Sequence, residues 1–259
     1  MQGIAPRRTA NTEGVFAKMN TTAVAIATAG AVIGAFVQGI CGFGFGPISM
    51  SYLPYLWPYQ QATAMSSLCG STTAFLIMLT NLRHINLKMF VSCSVTAMIA
   101  APLAVNISMG AAHGLLMRAL GLALMALGAY QIFLNGKLTI RPTVVNGMIA
   151  GLVSGIMSGL FAMSGPPAAV YMLAASRTKD EYRATLNAQF SATALLTGIV
   201  RYMHGYINAE AMTVWALSLP ALALGLTFGS RVFRRLDPER VRLLVNAYLI
   251  ISGITMLVR

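Results

Sequence analysis

The residues best suited to chemistry lie in the run Gln38-Gly39-Ile40-Cys41-Gly42-Phe43-Gly44-Phe45-Gly46-Pro47, which has a second version 120 residues later. That version reads Ser158-Gly159-Leu160-Phe161-Ala162-Met163-Ser164-Gly165-Pro166-Pro167, so that Gly39 matches Gly159, Gly44 matches Ser164 and Pro47 matches Pro167. Both runs interrupt apolar segments with residues that break or unwind a helix. In hydrocarbon, unwound backbone survives only where it is buried in protein or lines a cavity. Two interruptions at corresponding positions of two halves point to a binding site between them, near the middle of a membrane. A half-helix starting at such a break offers free N–H groups and the positive end of its dipole, which suits an anion. Gly42, Gly44, Gly46, Ser164 and Gly165 stand where two such starts would face each other, with Gln38 and Ser158 as side-chain donors. The competing reading is that these glycines only let helices approach closely.

Polar side chains within apolar segments are costly and are therefore candidates for function. Gln38, Asn187, Gln189 and Arg201 are the main examples. Asn187 and Gln189 could equally bond helix to helix, and Arg201 could reach back to the interface from near its helix end. Arg183 opens its segment and reads as a site residue or an interface anchor. All six acids (Glu13, Asp180, Glu181, Glu210, Asp237, Glu239) lie outside the apolar runs or at their ends. No buried carboxylate relay is therefore expected, and an anion is favoured over a cation. A coupling proton would have to use His84, His204 or the substrate itself. A serine protease built on Ser164 and His204 is the enzymatic alternative, but Gly44 occupies the place equivalent to Ser164. Cys41, Cys69 and Cys93 fit neither a disulfide framework nor a metal site. No P-loop appears. The expectation is no enzyme activity, no cofactor and no metal.

The elements that must hold these residues are membrane helices. The chain is 57% hydrophobic and 9% charged, against about 25% charged residues in soluble domains. Basic residues account for the net charge of +12 and stand singly or in short groups between apolar runs, the pattern of loop anchors rather than of a nucleic-acid surface. Apolar segments occupy about 21–41, 47–57, 61–81, 88–108, 113–134, 143–162, 166–176, 184–204, 209–231 and 240–258. Those at 47–57 and 166–176 have half a spanning length and read as half-helices starting at Pro47 and Pro166. Gln61-Ala62-Thr63 matches Arg183-Ala184-Thr185, and Ile85-Asn86 matches Ile207-Asn208. The expected architecture is an all-α integral membrane protein of two repeats. Each repeat is a glycine-interrupted helix or re-entrant hairpin plus three transmembrane helices. A tail covers 1–20, the repeats 21–134 and 143–259, and a linker 135–142.

If each interrupted segment enters and leaves on one face, the loops carrying Arg83 and Lys88, Lys137 and Arg141, Arg177, Lys179 and Arg183, and Arg231 to Arg242 share one side. The repeats are then inverted, and the basic tail (Arg7, Arg8, Lys18) falls on the other side. A plain eight-span count reverses the tail but exports the Arg231 to Arg242 cluster. The first apolar run continues into the glycine motif, so it reads as an uncleaved first helix rather than a signal peptide. The sequence sets no oligomeric state.

The paired motifs, with Tyr59-Gln60-Gln61-Ala62-Thr63-Ala64 and Asp180-Glu181-Tyr182-Arg183-Ala184-Thr185 after them, resemble the sulfite exporter TauE/SafE family. The run Gly225 to Arg235 before Leu236-Asp237-Pro238 is similar to that family's closing helix pair. The resemblance implies a multi-pass carrier of the cytoplasmic (inner) membrane. It would export sulfite, an organosulfonate such as sulfoacetate or a related anion by alternating access, with a coupling proton or ion. An anion channel, or a membrane subunit of a larger complex, is the other reading. Bulky residues at Gly44 or Gly165 should then impair transport, and Gly128, within an uninterrupted segment, serves as the comparison site.

Overall fold

The computed structural model describes residues 20–133, 141–233 and 238–258. The tail before Asn20, the linker residues 135–140, and Arg234, Arg235 and Asp237 lie outside the described residues. Among the described residues eleven α-helices follow in chain order: α1 Thr21–Cys41, α2 Phe45–Met50, α3 Leu53–Leu56, α4 Tyr59–Leu79, α5 Leu87–Gly110, α6 His113–Phe133, α7 Val144–Phe161, α8 Gly165–Ala175, α9 Lys179–Met203, α10 Ala209–Phe233 and α11 Pro238–Val258. No strand occurs among the described residues. The starts follow local chemistry: Asn20, Asn86, Thr143 and Thr178 each cap a helix by accepting from a first-turn N–H.

Among the described residues six helices, α1, α4, α5, α6, α7 and α10, are long and apolar enough to cross a membrane. On α5, Val91, Val95, Ile99, Leu103 and Ile107 recur every four residues as one exposed stripe, the face a lipid would cover. Its opposite face (Cys93, Ala97, Ala101) is small and buried. The expected span at 184–204 differs from the rest. As α9 it carries Thr185, Gln189, Thr193, Thr197 and Arg201 at four-residue intervals, all buried. Protein covers this polar stripe, while Leu195, Ile199 and Tyr202 on another face of the helix are exposed.

The most extensive helix contacts pair α1 with α10, α5 with α7 and α6 with α11. Gly225 meets Val32 and Gly229 meets Phe36, so α1 and α10 run parallel. Likewise Gly151, Gly155 and Gly159 meet the backbone of Cys93, Ala97 and Ala101, so α7 runs parallel to α5. Small residues every fourth position allow this approach. Helices α6 and α11 run antiparallel instead, with Gly121 against Gly253 and Gly128 against Asn246 and Ile250. So do α4 and α9: Ser67 meets Arg201, while Gln38 links Thr73 to Asn187.

After each interrupted helix the chain turns back. Ala23 and Ala27 of α1 cluster with Leu53, Trp57 and the start of α4. At the other end Ala150 of α7 clusters with Tyr171, Met172 and Tyr182. The two returns are unequal. Residues 166–176 form one helix, α8, whereas 47–57 are split into α2 and α3 at Ser51-Tyr52, where the Ser51 hydroxyl donates to the Ile48 carbonyl.

These directions place Arg83, Lys88, Arg141, Arg177, Lys179 and Arg231 at one end of the bundle, with Arg118 at the other.

A side chain at Gly151 would meet the Cys93 carbonyl and force α5 and α7 apart, a change of the kind that costs about 1–3 kcal/mol. Gly151→Val should lower the unfolding temperature of the purified protein by several degrees. Gly114→Val, whose Cβ meets nothing within 4 Å, should leave it nearly unchanged.

Candidate functional site

Both motifs leave helical geometry. Helix α1 ends at Gly42 (φ 80), whose N–H donates to Gln38 O at 2.8 Å, and Gly44 follows with φ 125. Both angles suit glycine and penalise any Cβ. Helix α7 ends at Ala162 with φ 54, the one positive-φ residue other than glycine among the described residues. For alanine that conformation costs about 1–2 kcal/mol. Its neighbours hold it there: Ala162 N–H donates to Ser158 O at 3.0 Å and Met163 N–H to Met157 O at 3.3 Å. The two breaks abut, with Gly46 against the backbone of Ala162 and Met163, and Gly165 against the Phe43 ring.

Between them lies a cavity of about 50 Å³, room for a small anion or about one or two waters. Gln38, Gly44, Gly46, Ser158, Ser164 and Gly165 line it, with Phe190 and Ala194 from α9 and Ser66, Ser67, Gly70 and Ser71 from α4. Backbone donors at the helix starts are fewer than the motif suggests. Pro47, Pro166 and Pro167 have no N–H, so the first three positions of α2 and α8 offer Phe45, Gly46 and Gly165. The α4 serines make up part of that deficit.

The other expected residues stand behind this lining. Asn187 donates to the Gly42 carbonyl at 3.1 Å and accepts from Gln38 Nε2 at 3.3 Å, while Thr73 donates to Gln38 Oε1 at 2.7 Å. Asn187 therefore joins helices and orients Gln38, and Gly42 is the corner it holds. Gln189 does not reach the cavity: Nε2 donates to Thr193 Oγ1 at 3.2 Å, and buried Oε1 has no hydrogen-bond partner.

Arg201 does not extend to the interface. It is 1% exposed, and its guanidinium donates to Ser67 Oγ at 3.3 Å, Ser158 O at 3.3 Å and Gly159 O at 3.1 Å. Its Nε is buried without a hydrogen-bond partner, and no carboxylate lines the neighbouring cavity. Arg183 takes a matching position on the first motif, donating from Nη2 to Gly39 O at 2.9 Å.

The described acids sit at helix starts. Glu210 accepts from Trp57 Nε1 and Gln61 Nε2, both at 2.8 Å. Glu181 accepts from Asn86 Nδ2 at 2.6 Å, and that bond, with the Arg177 N–H, holds its carboxyl below the usual range. His204 is exposed with Nδ1 2.9 Å from the Val200 carbonyl, whereas Ser164 lines the buried cavity. The structure therefore does not bring them together as a nucleophile and its base. His84 is also exposed.

The α4 serines were missed in the sequence. Their signal is Ser66-Ser67-x-x-Gly70-Ser71, small residues repeated four apart within a spanning helix.

Gly128 fails as a comparison site because its Cβ would fall 2.8 Å from Asn246 O, within the α6–α11 contact. Gly198 replaces it, since a Cβ there meets nothing within 4 Å. Gly44→Val should lower anion transport per inserted molecule about tenfold or more, and Gly165→Val should act in the same direction. Gly198→Val should have little effect, with membrane abundance measured for all three.

No curated protein and no solved structure is significantly similar to this chain. The sequence model of the sulfite exporter TauE/SafE family matches residues 26–256, through both breaks and every spanning helix, and the chain therefore belongs to that family of membrane transporters.

Proposed function

We propose that the protein is a secondary carrier of a small sulfur-containing or organic anion, such as sulfite or an organosulfonate. It exports the anion across the cytoplasmic membrane by alternating access. The observation that carries this reading is the Arg201 guanidinium, buried without a carboxylate and bonded to Ser67 and Ser158 at the cavity wall. An uncompensated buried cation is expensive, and an anion arriving next to it recovers part of that cost. Family membership points to the same substrate class.

The mechanism needs a site reachable from either side, which inverted repeats provide. Three observations support that arrangement here. The equivalent helices α4 and α9, and α6 and α11, run antiparallel. Each interrupted helix turns back toward the end from which it entered. The described basic loop residues gather at one end apart from Arg118, and that end is taken as cytoplasmic. Each repeat is then a re-entrant hairpin followed by three crossings. The breaks form the shared centre, and rocking one repeat against the other exposes it to alternate faces.

Anions that fit the cavity should raise the unfolding temperature of the purified protein, at 100 times Kd by the equivalent of about 2.7 kcal/mol. Across sulfite, short sulfonates, carboxylates and sulfate, sulfite or a sulfonate should stabilise most. Liposomes carrying the protein should show saturable counterflow of the same anion. Flux that rises linearly without counterflow would mean a channel, and no anion response in either assay would remove the reading.

A further inference from the structure

Arg183 and Arg201 are 18 residues apart on α9, about five turns, so they project from one stripe of the helix. Phe190 follows Arg183 by seven residues and Ala194 precedes Arg201 by seven, on that same stripe, and both line the cavity. Along the helix axis the cavity therefore sits midway, about 10 Å from the backbone of each arginine, and the Arg201 side chain spans that distance to Ser67 and Ser158 of its wall. Each guanidinium donates to the same carbonyl of the duplicated motif, Gly39 O for Arg183 and Gly159 O for Arg201. These carbonyls lie in the last turns of α1 and α7, where the helix leaves acceptors unsatisfied. Helix α4, the equivalent of α9, carries no Lys or Arg, so both cations of this double arrangement come from one helix.

We infer that Arg183 and Arg201 are the two ends of an anion relay, an inference that rests on the carrier reading above. Each guanidinium holds the carbonyl at its own break while the anion is elsewhere. It exchanges that weak acceptor for the anion as the anion moves between the cavity and the membrane face on its side. Arg183 serves the basic end of the bundle, and Arg201 the opposite end. A carbonyl is a poorer partner than a charged oxyanion, so the exchange runs toward the substrate when it arrives and reverses when it leaves. A merely structural pair of helix caps would have no reason to flank the cavity symmetrically on one stripe, and its loss would affect both faces alike.

The test uses the full chain in liposomes of uniform orientation, with labelled sulfite counterflow and the half-saturating concentration measured at one face while the other is saturated. Arg183→Gln should raise that concentration at the basic face about tenfold more than at the opposite face, a difference of about 1.4 kcal/mol. Arg201→Gln should give the reverse bias. Lys at either position keeps the charge but loses the forked donors and should show the same sided bias, reduced in size. If a Gln variant does not purify as a monodisperse protein, its Lys counterpart carries the test. Equal increases at both faces, or both variants biased to one face, would overturn the relay while leaving the carrier intact. Wild-type protein showing no saturable anion counterflow would remove the carrier reading and the relay with it.

Discussion

Backbone that leaves helical geometry inside a membrane protein must be shielded from lipid, and the rest of the structure depends on how these two breaks meet that requirement. Each break shields the other. Gly46 packs on the backbone of Ala162 and Met163, Phe43 covers Gly165, and α4 and α9 complete the lining around the gap. One break alone would leave unpaired amides against hydrocarbon. Two, brought together, convert that liability into a small cavity lined partly by polar groups.

Bringing them together depends on tight packing elsewhere. The small residues of α7 press on α5 and those of α10 press on α1, so each motif helix is fixed by a helix distant in sequence. The glycines thus serve two purposes that sequence alone does not separate. Gly39 and Gly159 are contact residues, Gly42 and Gly44 are turn residues, and Gly46 is where the two breaks touch. Helix α9 runs through the centre and contributes the polar groups that the motifs lack. Asn187 and Arg183 fasten the first break, and Arg201 fastens the second.

Glycine and proline act through the backbone locally, whatever surrounds them, so the sequence suggests an interruption at each motif, and helices do end at Cys41 and Phe161. The long apolar helices were readable for a similar reason, since their length and composition are properties of single segments. The pairing of helices across halves was not, because it depends on which small faces meet. Gly128 illustrates this: it looks like an ordinary helix interior residue and is in fact a contact point with α11. The destination of Arg201 was equally hidden. A long side chain near a helix end can turn outward or inward, and only the carbonyls of Ser158 and Gly159 decide it. Six of the ten expected site residues share the cavity wall, and Gly42, Asn187 and Arg201 support it from behind, while Gln189 bonds within its own helix.

The central claim is that an anion sits between the two breaks. Its most direct test is an experimental structure of the protein with selenite, a heavier analogue of sulfite, located by the anomalous signal of selenium. One peak should lie in the gap between Gly44–Gly46 and Ser164–Gly165, within hydrogen-bond reach of the α4 serines. A peak confined to the surface, or helices running unbroken through both motifs, would contradict it.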